Sequence, residues 1–131
     1  MWWNKYVGIP FEEKGRGPFT FDCWGLLKTV YKDDHPDSIE LPGYEEYYES
    51  TNDRDTLGKV IFEQRQARWR EVKEPQEFDA VLLRMRGVPM HVGIVARKRN
   101  MLHCALGVGT SYEKYDSMRW RSKIIGFFRY D

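Results

Sequence analysis

Two thiols and three imidazoles are the side chains in this sequence best suited to nucleophilic and proton-transfer chemistry: Cys23, Cys104, His35, His91 and His103. Cys23 follows Asp22 and opens the run Cys23-Trp24-Gly25-Leu26-Leu27. A cysteine in the first turn of a helix has its thiolate stabilised by the positive helix end and by unpaired backbone N–H groups, which lowers its pKa. A lone cysteine on an apolar helix face is more often just a small core residue, so Cys23 needs partners. A thiol nucleophile requires a base, and the base requires a third group to hold its tautomer. His35 lies in the polar loop Lys32-Asp33-Asp34-His35-Pro36-Asp37 and is expected to be a solvated surface residue. His91 and His103 fall in two strand-like runs joined by a short turn.

The elements that must position these groups follow from periodicity. Cys23, Leu26, Leu27 and Val30 stand at i, i+3, i+4 and i+7, the spacing of a helix with one buried face. Asp22 is its expected N-cap, and Pro36 ends it by Asp34. Short β-branched runs predict antiparallel strands over Ala80–Met85, His91–Ala96, Met101–Ala105 and Ile124–Tyr130. A turn centred on Lys98 puts Gly93 opposite His103 and makes His91 its diagonal neighbour on the same face, about 7–8 Å away between backbones. Residues 44–69 are polar and mixed, with Leu57, Val60, Ile61 and Phe62 marking a second helix whose far side solvates Arg65, Arg68 and Arg70. Residues 2–18 carry several turn formers and read as a short helix or extended arm followed by an irregular loop. Helices first and a meandering sheet afterwards give an α+β pattern, and the length suits a single domain over 1–131.

Composition narrows the partners. Hydrophobic residues make up 41% of the chain, with five Trp, eight Tyr and seven Phe, enough apolar material for a packed interior. Basic residues number 21 and acidic ones 20, a net charge of +1 that gives no reason to expect nucleic acid. Arg97-Lys98-Arg99 reads as a solvated turn. Two cysteines allow at most one bridge, so disulfide dependence is not expected. The amino terminus shows no basic segment followed by a long apolar one, so neither a secretion signal nor a membrane span is expected. A zinc site built from Cys23, Cys104, His91 and His103 is disfavoured: no CxxC or HxxxH pair is present, and adjacent strand residues His103 and Cys104 point to opposite faces. Cys104 is the expected core cysteine.

Three segments together carry a resemblance: Phe21-Asp22-Cys23-Trp24-Gly25-Leu26-Leu27, His91-Val92-Gly93-Ile94-Val95, and Met101-Leu102-His103, its histidine twelve residues after the first. They resemble the NlpC superfamily of cell-wall cysteine endopeptidases. Trp24, the stretch Leu41-Pro42-Gly43-Tyr44 and the segment Ile125-Gly126-Phe127-Phe128-Arg129 make the chain most similar to phage-encoded members. The resemblance implies a papain-like fold, with the cysteine helix packed on an antiparallel sheet, and hydrolysis of amide bonds in peptidoglycan stem peptides without metal or cofactor. By the same match Cys23 corresponds to the nucleophile, His91 to the base and His103 to the residue that orients it. Asp22 matches the family's Asp before the cysteine, for which a helix-cap role and a contact to a substrate amine are both open.

Phe11 occupies the place where many relatives carry a tyrosine whose hydroxyl serves the oxyanion site, leaving Tyr6 as a candidate stand-in. Phe78-Asp79 replaces the family's frequent Gly-Asp, a change that bears on a turn. The phage-type likeness implies a tail-associated hydrolase, made in the host cytoplasm, carried in the virion tail and acting in the bacterial wall or periplasm. Its partners would be stem peptides and tail-tip proteins. The alternative is a tail-tip structural component that keeps the fold for assembly, with slow or absent chemistry.

Overall fold

The computed structural model describes residues 1–42, 68–85 and 88–130, with the backbone alone at 85 and 88–90. Helix α1 spans Cys23–Asp33. Strands follow at Trp69–Val72 (β1), Ala80–Met85 (β2), Val88–Val95 (β3), Asn100–Ala105 (β4), Gly109–Lys114 (β5) and, after a 3-10 turn at Arg121–Lys123, Ile124–Tyr130 (β6). They form one sheet in the order β1-β6-β2-β3-β4-β5, with every recorded pairing antiparallel. This is the α+β, papain-like arrangement expected from the sequence.

Helix α1 begins where its cap dictates. The Asp22 carboxylate accepts the Gly25 N–H at 2.7 Å, filling one of the orphan donors of the first turn. Cys23, Leu26, Leu27 and Val30 are buried, as their spacing predicts. Full burial of Leu26, Leu27 and Val30 contributes about 1.5–3 kcal/mol each. Gly25 is required by a close approach: a Cβ there would stand 1.9 Å from the Gly15 carbonyl oxygen, so the preceding loop can lie directly on the helix only over a glycine. That loop is pinned to the helix start by Phe21 N–H to Pro10 O and Glu12 N–H to Phe21 O.

The sheet is covered on both sides. On one face α1, Trp3, Tyr6 and Phe21 pack with Val92, Ile94, Leu102 and Cys104. On the other, Val81, Leu83, Val95 and Met101 pack around Trp120. The β3–β4 register, Ile94 with Leu102 and Val95 with Met101, centres the turn on Lys98 as expected. Lys98 and Arg99 adopt positive φ there.

Several sequence expectations need correction. Trp69 and Arg70 belong to strand β1, not to a helix, and β5 was not anticipated; residues 44–67, which hold the remainder of the expected second helix, lie outside the described residues. His35 is not a free surface group: half-buried, it packs against the rings of Tyr31 and Phe78 and accepts the Asp37 N–H. Phe78 takes φ +77°, a backbone conformation that glycine adopts without strain and a side-chain-bearing residue rarely does. Stacking on Trp2 at 4.8 Å and a hydrogen bond from the Tyr31 hydroxyl to the Phe78 carbonyl hold it there.

Candidate active site

Strand geometry brings the two histidines together. His91 Nε2 and His103 Nδ1 are 2.8 Å apart, both rings buried. The pairing of β2 with β3 shifts register between Leu83 and Arg84, so that Leu83 faces His91 while Arg84 faces Pro89. Met90 is the extra residue immediately before His91, and such bulges re-aim the side chains beside them. Gly93 keeps space for the pair, since a Cβ there would stand 3.3 Å from the His103 Cβ.

Cys23 reaches the same strand from the helix. Its sulphur is hydrogen-bonded by the backbone N–H of Val92, which belongs to the peptide joining His91 to Val92. The nucleophile candidate is thereby seated against the backbone of the base candidate. Its protonation differs from the sequence expectation. Burial, reinforced by the negative Asp22, pushes the Cys23 thiol up to about 12, against the opposing hydrogen bonds from the Val92 and Trp24 N–H groups. Only 6% of Cys23 is exposed. The helix end does not outweigh desolvation, so the resting group is a thiol.

Asp22 is buried and caps α1, and the same oxygen accepts Arg16 Nη1 at 2.8 Å. Tyr6 does not stand in at the oxyanion site: its hydroxyl donates to Asp34, the residue closing the opposite end of α1 from Cys23. Phe11 is half-buried, bridges to Phe21 and packs against the core. Cys104 points to the helix side of the sheet, where its thiol donates to the Phe21 carbonyl at 3.3 Å; both cysteines are free. Among the described residues no group of three or more His, Cys, Asp or Glu side chains is arranged to hold a metal ion.

Three residues around the histidines were not anticipated. His103 lies opposite Ser111 in the β4–β5 pair, which makes Glu113 its diagonal neighbour. Glu113 Oε2 is 2.6 Å from His103 Nε2, and Ser111 Oγ lies 3.2 Å from that oxygen and 3.3 Å from His103 Nε2. Trp120 stacks on His91 with ring centroids 6.0 Å apart, meets His103 edge-on at 5.0 Å, and donates Nε1 to Glu113 Oε1 at 3.3 Å. Burial pushes the Glu113 carboxyl up, but the donors His103, Trp120 and Ser111 prevail and hold it below the ordinary carboxylate range. Burial lowers His103 below the ordinary histidine value despite the pull of Glu113 the other way. The turn residues Gly107 and Gly109, which place Ser111 across from His103, were the available signal.

The family called NlpC/P60 matches residues 8–129. The chain belongs to the NlpC/P60 family. Members of this family are generally peptidoglycan hydrolases, cell-wall peptidases of the cysteine type. Among solved structures, an NLP/P60-family lipoprotein-like protein from Staphylococcus aureus is 25% identical, with TM-score 0.65, covering 96% of this chain and 38% of its own. An NlpC/P60-family protein from Bacillus cereus gives TM-score 0.67 at 19% identity, covering 95% of this chain and 36% of its own. This chain therefore spans well under half the length of both. The NlpC/p60 domain of the peptidoglycan hydrolase SagA matches at TM-score 0.63 and 18% identity, covering 95% of this chain and 90% of that one. No curated protein matches.

Proposed function

We propose that this chain is a cysteine peptidase that hydrolyses peptide bonds in peptidoglycan stem peptides, acting as a phage or prophage tail-associated wall hydrolase. The observation that carries the reading is the buried His91–His103 contact on the strand whose Val92 N–H holds the Cys23 sulphur. The tail association is supported only by the phage-type residues Trp24, Leu41-Pro42-Gly43-Tyr44 and Ile125–Arg129. Among the described residues no helix is long and apolar enough to cross a membrane.

In this mechanism His91 removes the Cys23 proton as the sulphur attacks the scissile carbonyl. The C–S bond forms, the carbonyl becomes an oxyanion, and backbone N–H groups at the helix start stabilise it. His91 then gives its proton to the leaving amine as the C–N bond breaks. A water molecule, deprotonated by the same imidazole, attacks the thioester carbonyl; the C–O bond forms, the C–S bond breaks, and the imidazolium returns its proton to the Cys23 sulphur. His103 orients His91 and does not itself exchange a proton with substrate. Because Cys23 rests as a buried thiol, proton transfer is coupled to attack.

Digestion of purified peptidoglycan with mass analysis of the fragments tests the reading. New amine and carboxyl ends in stem peptides are expected from the wild type and from a folded Cys104→Ala variant, and none from Cys23→Ala, whose alanine keeps a good helix former in the first turn. Equal loss in both variants, with circular dichroism unchanged, removes Cys23 as the sole nucleophile. Intact wall after prolonged exposure to wild-type protein favours the assembly role in a tail tip instead.

A further inference from the structure

Glu113 is surrounded by donors. Oε2 lies 2.6 Å from His103 Nε2 and receives Ser111 Oγ at 3.2 Å, Oε1 receives Trp120 Nε1 at 3.3 Å, and Arg119 Nη1 lies 3.8 Å from Oε1. Trp120 Nε1 and Arg119 Nη1 can only donate, both stand at Oε1 and the guanidinium adds a positive charge; these neighbours favour the ionised carboxylate, which can only accept. The proton between Glu113 and His103 therefore sits on His103 Nε2.

The rest follows by hydrogen-bond accounting. His103 is 1% exposed, so a neutral ring is favoured, and with Nε2 protonated its Nδ1 is an acceptor. Among the described residues the atom recorded at Nδ1 is His91 Nε2 at 2.8 Å, which must then carry hydrogen. A neutral His91 bonded in this way has one basic nitrogen left, Nδ1. We propose that Glu113 is a positioning residue of the active site: through His103 its carboxylate sets the His91 tautomer in which Nδ1 is the proton acceptor, and it stabilises the imidazolium formed during turnover. This rests on the cysteine-peptidase reading for its consequence in catalysis, but not for its structural content. The register supports it, since His103 on β4 has diagonal partners on both neighbouring strands, His91 on β3 and Glu113 on β5.

The test uses the full chain with ¹⁵N-labelled histidine. Long-range ¹H–¹⁵N correlation at neutral pH is expected to show His91 and His103 both as Nε2–H tautomers, and Glu113→Leu is expected to lose that preference. The second readout is alkylation of Cys23 by iodoacetamide, followed by peptide mass mapping so that Cys104 is counted separately. Glu113→Leu should slow it by about 10- to 100-fold, the size seen when groups behind a reacting shell are removed. Glu113→Gln, which keeps an acceptor but loses the charge, should retain more reactivity than Glu113→Leu. Its acid limb should move to lower pH, because the imidazolium loses a stabilising charge. Neither readout needs a wall substrate, so failure to cleave peptidoglycan would count against the proposed function and leave this assignment standing on its own result. Unchanged tautomers and an unchanged alkylation profile in folded Glu113→Gln and Glu113→Leu would overturn it. If Glu113→Leu does not fold, the near-isosteric Glu113→Gln profile decides alone.

Discussion

Two buried polar clusters stand on the same sheet, and they are built for opposite purposes. At the start of β2, Asp79 is clamped by Arg129 of β6 through two parallel bonds of 2.8 Å, Nε to Oδ1 and Nη2 to Oδ2, while the Gln76 N–H fills Oδ2 at 2.7 Å. The planar fork matches the carboxylate, and the guanidinium keeps its proton at any pH a folded protein meets. Around β3, β4 and β5, by contrast, His91, His103 and Glu113 form a chain in which every link but the last is a ring that can exchange a proton. One cluster fixes charge and ties β6 to β2. The other passes on a tautomer, and Trp120 seals it against both rings. Burial and hydrogen bonding are common to both; what distinguishes a site from a clamp is whether its members can change protonation state.

The largest expected effect separates the two outright. His91→Ala removes the proton acceptor and should lower the turnover of wall peptides by about 10³-fold or more. His103→Asn keeps a polar group beside His91 and should lose only about 10- to 100-fold. Steady-state kinetics on isolated stem peptides, with folding checked by circular dichroism, measures both. An active His91→Ala beside a dead His103→Asn would exchange the two roles.

Breaking the clamp should do the reverse. Arg129→Met leaves a buried carboxylate with the Gln76 N–H and no counter-charge, and removing one partner of a buried pair costs about 3–5 kcal/mol. Arg129 is partly exposed, so the lower end of that range is expected from urea unfolding, with alkylation of Cys23 per folded molecule unchanged. A loss below about 1 kcal/mol would place the pair among ordinary surface ion pairs. A fall in Cys23 reactivity at unchanged stability would show that the two clusters are coupled.

Much of this site was legible before the structure. The i, i+3, i+4, i+7 run located α1 and its buried face, and the Lys98 turn gave the register that places His91 diagonal to His103. What escaped has physical causes. β1 is a four-residue strand whose partner lies more than fifty residues away, and its alternation of Trp69, Arg70, Glu71 and Val72 is too short to stand out from the preceding polar stretch. β5 carries Ser111, Glu113 and Lys114 and reads as polar loop, because Ser111 and Glu113, which contact His103, take places where an apolar alternation would have marked a strand. The Cys23 protonation was misjudged since a helix end can be read from sequence, whereas the burial that outweighs it depends on how the helix-side core closes around the thiol. Tyr6 looked available only because nothing in the sequence ties it to Asp34.

The smallest effect concerns acid, and its sign follows from which state binds more protons. Burial holds folded His103 below the ordinary histidine value of 6.5, so below that pH the unfolded chain takes up a proton that the folded chain does not. Stability therefore falls as pH drops through about 6.5 toward the folded value, and it is fully present above it. Glu113 acts in a lower window. Its folded pKa is depressed, so its contribution is present above the ordinary value of 4.5 and is lost only as pH falls through the folded one. Between these windows the histidine contribution is isolated, except that half-buried His35 is lowered as well and acts with the same sign. Urea midpoints between pH 7.5 and 5 should decline for the wild type, decline less for His103→Asn or His35→Asn, and least for the double variant. A His103→Asn slope identical to wild type would mean that His103 takes up its proton over the same pH range folded and unfolded, so that burial does not hold the ring neutral in the folded chain.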